Sequence, residues 1–170
     1  MKKAIIFFSI IILLIISNKE YKKIIIPNEA IRIRVIANSN SLEDQLLKFK
    51  VKDNITKHLY NNIQDINNID DARKNIKSSL RDIESIVSKT LNNNDYKINY
   101  GNNYFPKKEL NGLSYEEGNY ESLVINIGSG KGNNWWCVLF PPLCMIEGTY
   151  KESNNIEYKS KVLEILNRYE

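Results

Sequence analysis

Few residues in this chain are of types and spacings that do chemistry, and each can be weighed in turn. Cys137 and Cys144 are the only cysteines and stand seven positions apart. That spacing is not the C-x-x-C of a redox pair. A nucleophilic cysteine needs a base, and His58 is the only histidine in the chain. An even cysteine count in an exported chain favours a disulfide; two buried thiols are the alternative. His58 has no ligand-type residue spaced to help it hold zinc, which takes several His or Cys ligands, so it reads as a surface or boundary residue of a helix. Gly128-Ser129-Gly130-Lys131-Gly132 suggests a phosphate loop, but Gly132 stands where the P-loop has Ser or Thr, and a strand follows where a helix is required. A glycine-rich hairpin connection is the better reading. The acidic pairs Glu43-Asp44 and Glu116-Glu117 lie in polar contexts, and adjacent side chains on a helix or turn point apart, so they read as solvated charge. No catalytic serine, aspartate or zinc-protease motif occurs.

Arg32 and Arg34 are harder to dismiss. In Ile31-Arg32-Ile33-Arg34-Val35 they share one face of a strand whose other face is apolar. If helices cover the arginine face, each guanidinium needs a carboxylate such as Asp53. The alternative is an anion-recognition site beside Asn38-Ser39-Asn40. Trp135 and Trp136 point to opposite faces of any strand that contains them. One is then core and the other is free to serve as a contact beside the rigid Pro141-Pro142 turn, unless both pack internally.

These residues have to be positioned by the rest of a 170-residue chain, long enough for one ordinary domain. Hydrophobic content of 42%, with ten tyrosines and two tryptophans, supports a packed core. The net charge is +4, and Lys2, Lys3 and Lys19 against Glu20 place half of it in the first twenty residues. No clustered basic face of the kind that binds nucleic acid remains. Met1-Lys2-Lys3 followed by the apolar run Ala4–Ile16 has the form of a secretory leader. Thirteen residues span about 20 Å, short of the roughly 30 Å hydrocarbon core. Residues 1–20 are therefore expected to be a signal peptide or, since no A-x-A cleavage site follows, a signal anchor. Residues 21–29 are expected to be a linker.

The period-two pattern predicts a strand over 30–37. Asn38-Ser39-Asn40-Ser41 is turn chemistry, and Ser41 with Asp44 three later has the form of a capping box with Asp in the usual Glu place. A helix is predicted from there to about Tyr60, with Leu42, Leu46, Phe49 and Leu47, Val51, Ile55, Leu59 as one broad apolar face. A second helix is predicted from about Asp70 to Leu91, on the three-and-four recurrence of Ile69, Ala72, Ile76, Leu80, Ile83, Val87 and Leu91. Strands follow around Tyr96–Tyr100, Leu123–Ile127 and Trp135–Phe140, and a last amphipathic helix spans Ile156–Tyr169. The order β-α-α-β-β-β-α predicts an α+β domain over 30–170, with a mostly antiparallel sheet packed by two central helices and a C-terminal helix.

Several of these stretches together resemble the stage II sporulation protein R family. They are Ile26-Pro27, Ala30-Ile31-Arg32 through Ser41, Gln45, Lys48 through Asp53, Phe105-Pro106, Gly118 through Glu121, Ile127 through Gly132 and, most specifically, Asn134-Trp135-Trp136-Cys137-Val138-Leu139-Phe140-Pro141-Pro142-Leu143-Cys144. The resemblance covers about residues 27–146. It implies a signalling domain made in the forespore and exported into the space between forespore and mother-cell membranes. There it would activate the membrane-embedded aspartic protease of the mother cell, stage II sporulation protein GA, which processes pro-sigma-E. It implies no catalytic residue, cofactor, metal or nucleic acid, and membrane contact only through leader or partner. On that reading the expected contact residues are Arg32, Arg34, Lys131, Trp136, Pro141 and Pro142. The competing classes are an exported hydrolase of the septal wall, with Glu117 or Asp53 as acid or base, and a structural envelope protein.

Overall fold

Alternating side chains make Ile31–Ile36 a strand with two different faces, and the two cores of the molecule form on them. The structure is a computed structural model, and it describes residues 24–27, 29–63, 65–92, 95–110, 113–145 and 155–169. The expected leader lies outside the described residues. In chain order the elements are β1 (Ile24–Ile25), β2 (Ile31–Ile36), α1 (Leu42–Ile63), α2 (Ile69–Ser78), α3 (Leu80–Leu91), β3 (Tyr96–Phe105), β4 (Lys108–Leu110), β5 (Leu113–Tyr115), β6 (Gly118–Ile127), β7 (Asn134–Phe140), a 3-10 turn (Leu143–Met145) and α4 (Asn155–Arg168).

The α+β class is as expected, but the sheets are mixed rather than mostly antiparallel. The larger sheet has the order β3-β6-β2-β7, with β2 parallel to β6 and antiparallel to β7, and β3 antiparallel to β6. A smaller sheet, β1-β5-β4, pairs β1 parallel to β5. The glycine-rich segment after β6 is therefore not a hairpin. β6 and β7 lie on either side of β2, and residues 128–133 cross the carboxyl end of that strand. Residues 24–25 of the expected linker form a strand, held by pairing with Leu113 and Ser114. The expected second helix is two helices that meet at Ser79, whose N–H still donates to Asn75 O.

One face of the larger sheet presents Ile31, Ile33, Val35, Leu123, Ile125 and Ile127 to α1, α2 and α3. The helices answer with Val51, Ile55, Leu59, Ala72, Ile76, Ile83, Val87 and Leu91, all buried. The opposite face carries Phe105, Tyr120, Trp136 and Val138. It is covered by Leu113 and Tyr115 of the small sheet and by Tyr158, Val162 and Leu166 of α4.

A polar clamp ties α2 to the sheet. Arg73 donates from Nε and Nη2 to the Glu121 carboxylate at 2.7 to 3.0 Å, and Tyr100 Oη donates to Glu121 Oε1 at 2.7 Å. The hydrogen bonds from Arg73 hold the Glu121 carboxyl below the usual carboxylate range, with Tyr100 acting in the same direction. A carboxylate whose folded pKa is depressed stabilises the fold above its unfolded pKa, and that contribution is lost as pH falls through the folded value. Glu121→Gln is expected to cost about 1–2 kcal/mol at neutral pH. The gap to the parent should close in acid. Urea unfolding of both proteins at neutral and acidic pH checks this; a gap that persists in acid would rule the clamp out as its source.

Candidate functional site

Three structural features bring the sequence-predicted residues together: a locked pair of loops, an aromatic cage around an arginine, and the turn after β7. The loops meet at the carboxyl end of β2. Ser129 N donates to Asn38 Oδ1 at 2.9 Å and Ser129 Oγ to Asn38 O at 2.8 Å. Asn133 N donates to Asn40 Oδ1 at 2.7 Å, and Gly132 N to Ala37 O at 2.8 Å. The approach is close enough to need glycine. Gly128 has φ +53, and a Cβ there would sit 2.5 Å from Asn38 Oδ1. A Cβ at Gly132 would strike the carbonyl of Ser39.

The start of α1 is part of this lock. Ser41 Oγ accepts from Asp44 N at 3.2 Å, as the capping motif predicts. The return half of the box is absent, because the Asp44 carboxylate instead accepts from Ser39 Oγ at 2.5 Å and Asn38 Nδ2 at 3.0 Å. The Ser39 hydroxyl, and then Asn38 and Ser41, hold the Asp44 carboxyl below its ordinary range. Gln45 Nε2 donates to Ser39 O, and the buried Lys48 reaches Gln45 Oε1 at 2.6 Å and Asn133 O at 3.3 Å. Burial pushes the Lys48 ammonium down from its usual value. Lys131 is exposed at the tip of the crossing loop. The network spends its donors and acceptors within itself, so it fixes the shape of this end of the sheet rather than presenting a phosphate cradle.

Arg32 is fully buried, at 0% exposure. It does not meet Asp53, which is exposed on α1, on the other side of the sheet, and pairs with Lys52. The arginine face is covered by the small sheet and α4, not by the central helices, and what surrounds the guanidinium is aromatic. Its Cζ lies 3.4 Å from the centroid of the Tyr120 ring, 5.3 Å from Phe105 and Trp136, and 5.8 Å from Tyr115. Among the described residues none of its three nitrogens makes a hydrogen bond of good geometry, and the nearest polar help is the side chain of Tyr120. Desolvation lowers the Arg32 pKa, with Tyr120 and Tyr115 opposing it, while the ring faces supply the compensating attraction. Arg34 is half-buried. Its Nη1 reaches Tyr104 O at 3.5 Å, and burial lowers its pKa too.

Trp136 belongs to this cage and is buried, with Phe105 and Tyr115 each 5.1 Å from its ring. It is Trp135 that is half-buried, on the helical side, with Lys52 Nζ 5.3 Å from its ring. Of the tryptophan pair Trp135 is thus the more accessible, because β7 turns Trp136 toward the small sheet. Pro141 is buried and lines a cleft of about 430 Å³ with Pro27, Asn68, Phe140, Leu166 and Tyr169. Pro142 is half-buried and faces the other way, into an apolar notch with Tyr60, Leu139 and Cys144. Cys137 and Cys144 are not bridged in the structure; both reach Val138 O as S–H donors, at 3.8 and 2.9 Å.

His58 meets Asn62 and Asp82. Glu117 accepts from Tyr104 Oη at 3.4 Å, on a different part of the molecule from Asp53. Among the described residues no group of three or more His, Cys, Asp or Glu is placed to hold a metal. Periodicity alone does not single out the buried Lys48 or the half-buried Arg73 and Glu121. A carboxylate flanked by Tyr120, Ser122 and Leu123 in a strand was the available signal.

The chain matches the profile of the family described as Stage II sporulation protein R across residues 27–150. It is 39% identical over 132 residues to Stage II sporulation protein R of Bacillus subtilis (strain 168), an alignment that takes in 75% of this chain and 59% of that protein. No solved structure matches the chain.

Removing a buried charge in favour of an apolar side chain of similar length is often neutral or stabilising, whereas truncation leaves a void. Arg32→Met is accordingly expected to unfold at the parent midpoint or above it, and Arg32→Ala to lose about 2–4 kcal/mol. Chemical denaturation of both variants checks the pair. Loss of stability in Arg32→Met would show that the guanidinium charge itself holds the cage together.

Proposed function

The chain belongs to the stage II sporulation protein R family, and from that premise we propose that it is an exported signalling protein of endospore formation that acts by binding rather than by catalysis. Its target on this reading is the membrane-embedded aspartic protease of the mother cell, stage II sporulation protein GA, which processes pro-sigma-E. The observation that carries the proposal is the family match across residues 27–150. The Ala4–Ile16 leader supports export, into the space between the two membranes. No helix among the described residues is long and apolar enough to cross a membrane, so any anchoring falls to the leader. A ligand activates a protease only by its differential affinity for the active conformation or assembly. A domain whose loops and sheet are locked by internal hydrogen bonds suits that task, since little ordering entropy is lost on docking.

The pairing of Cys137 with Cys144 is part of the same proposal. The sulfurs approach one carbonyl, and an exported protein meets oxidising conditions. Thiol alkylation of the exported protein, read by mass spectrometry, is expected to modify these cysteines only after reduction; labelling without reduction would refute the pairing.

Co-expression of this chain, its cognate protease and the pro-sigma substrate in a non-sporulating host tests the main proposal, with processing scored by gel. A companion strain carries charges within Ala4–Ile16 to block export. Processing is expected only when the chain is present and exported. Processing without the chain, or none with all three proteins present and folded, would overturn the reading and return attention to a hydrolase acting on the septal wall.

A further inference from the structure

α1 has a second apolar face that the core does not use. Leu42, Leu46 and Phe49 recur at i, i+4 and i+7, so they share one side of the helix, and they are 77%, 60% and 44% exposed. Tyr60, exposed on the same side, continues the tract toward the turn after β7. There Tyr60 and Pro142 line an apolar notch with Thr56 and Cys144. The half-buried Trp135, with Lys52 beside its ring, lies along the flank of α1. Single exposed apolar residues are ordinary, but the row Leu42, Leu46 and Phe49, with Tyr60 beyond the exposed Asp53 and Lys57, has the spacing of a contact surface. β7, which borders the tract, is also the edge strand of the larger sheet.

The charges around the row say what kind of partner fits. Lys50 and Lys57 on α1 and Lys131 on the crossing loop are exposed. None of the three forms an ion pair among the described residues. The acidic residues close by are partly spent: Asp53 is paired with Lys52, and Asp44 is held by Ser39 and Asn38. Among the described residues close by, Glu43 on α1 and Asp95 beside the crossing loop are the exposed carboxylates left without an ion pair, against three lysines. The rim is therefore receptive to carboxylates and the centre to apolar side chains. A lipid surface fits less well, because Glu43 is exposed beside Leu42 and Leu46 and would have to enter the headgroup layer of an anionic membrane.

We propose that the Leu42–Leu46–Phe49–Tyr60 face of α1, with Trp135 and Pro142 at its border, docks an apolar segment of a protein partner that carries carboxylates toward Lys50, Lys57 and Lys131. The identification of that partner as the protease rests on the function proposed above; the surface itself rests on the exposure and charge just described. Its test uses the full exported chain co-expressed with the protease and substrate. Leu46→Asp with Phe49→Asp is expected to cut processing by about tenfold or more, a typical loss for a central contact, with the unfolding midpoint held. Lys50→Glu with Lys57→Glu keeps the apolar row and should also reduce processing. A photo-crosslinking residue at position 46 should join the chain to the protease, and one at the exposed Asn99 of β3 should not. Parental processing by both charged variants, or a crosslink from position 46 only to lipid or to a second copy of the chain, would overturn the proposal. Failure of the parent chain to support processing would instead count against the proposed function, and the crosslink at position 46 would still decide the surface.

Discussion

β2 is buried on both faces, and the rest of the molecule follows from that constraint. A strand in this position has no solvated side on which to put charge. Its Ile31, Ile33 and Val35 face the helices, and Arg32 and Arg34 face the other way. A fully buried guanidinium has to be compensated locally, since its desolvation cost amounts to several kcal/mol. The compensation is a set of rings from four different places: Phe105 at the end of β3, Tyr115 of β5, Tyr120 of β6 and Trp136 of β7. Phe105, Tyr120 and Trp136 come from the larger sheet itself, and the small sheet, which β1 joins by pairing with β5, packs on that face and adds Tyr115. The aliphatic face of the same strand packs against the helical layer.

The parallel pairing of β2 with β6 sets a second constraint. With β7 on the far side of β2, the chain leaving β6 has to pass over the end of a strand that is already occupied. It does so in six residues, which leaves no room for a Cβ at the two points nearest residues 38 and 39. Gly128 and Gly132 meet that demand, and the side chains of Asn38 and Asn40 accept the N–H groups that the crossing leaves without sheet partners. Lys48, donating to Asn133 O, carries the lock into α1. The end of the sheet, the crossing loop and the first turns of α1 therefore form one rigid unit.

What could be read from the residues, and what could not, divides along the same lines. Local periodicity is strong in β2 and over Ile69–Leu91, and it places both, although the helical stretch is broken at Ser79; β6 begins at Gly118, five residues before its alternating Leu123–Ile127 part. The insertion of β2 between β6 and β7 is a long-range choice that no window of residues encodes, so the glycine loop read as a hairpin. Charge logic led from Arg32 to a carboxylate such as Asp53, because a lone sequence does not reveal that four distant aromatic residues converge on one point. The apolar row Leu42–Leu46–Phe49 has the same period as a core face and reads as one. Only the fold shows that Val51, Ile55 and Leu59 already occupy the inward side. The candidate residues fare similarly. Lys131 is exposed and Arg34 and Pro142 are half-buried, whereas Arg32, Trp136 and Pro141 are buried, and Trp135 is the less buried of the two tryptophans.

α1 links these constraints to function. A helix that packs one apolar face inward normally turns polar residues outward, and keeping leucine and phenylalanine in water adds nothing to the stability of the isolated domain. The row sits on a helix tied to the end of the sheet: its first member follows the Ser41 cap directly, and Lys48 of the same helix donates to Asn133 O of the crossing loop. An exposed apolar surface on a flexible element would lose much of its binding free energy in becoming ordered; on this unit that cost has already been met in folding. The rigidity that the Arg32 cage and the crossing loop impose on the sheet is therefore also what would allow α1 to discriminate between two conformations of a partner. Discrimination of that kind is all that activation by a non-catalytic ligand requires.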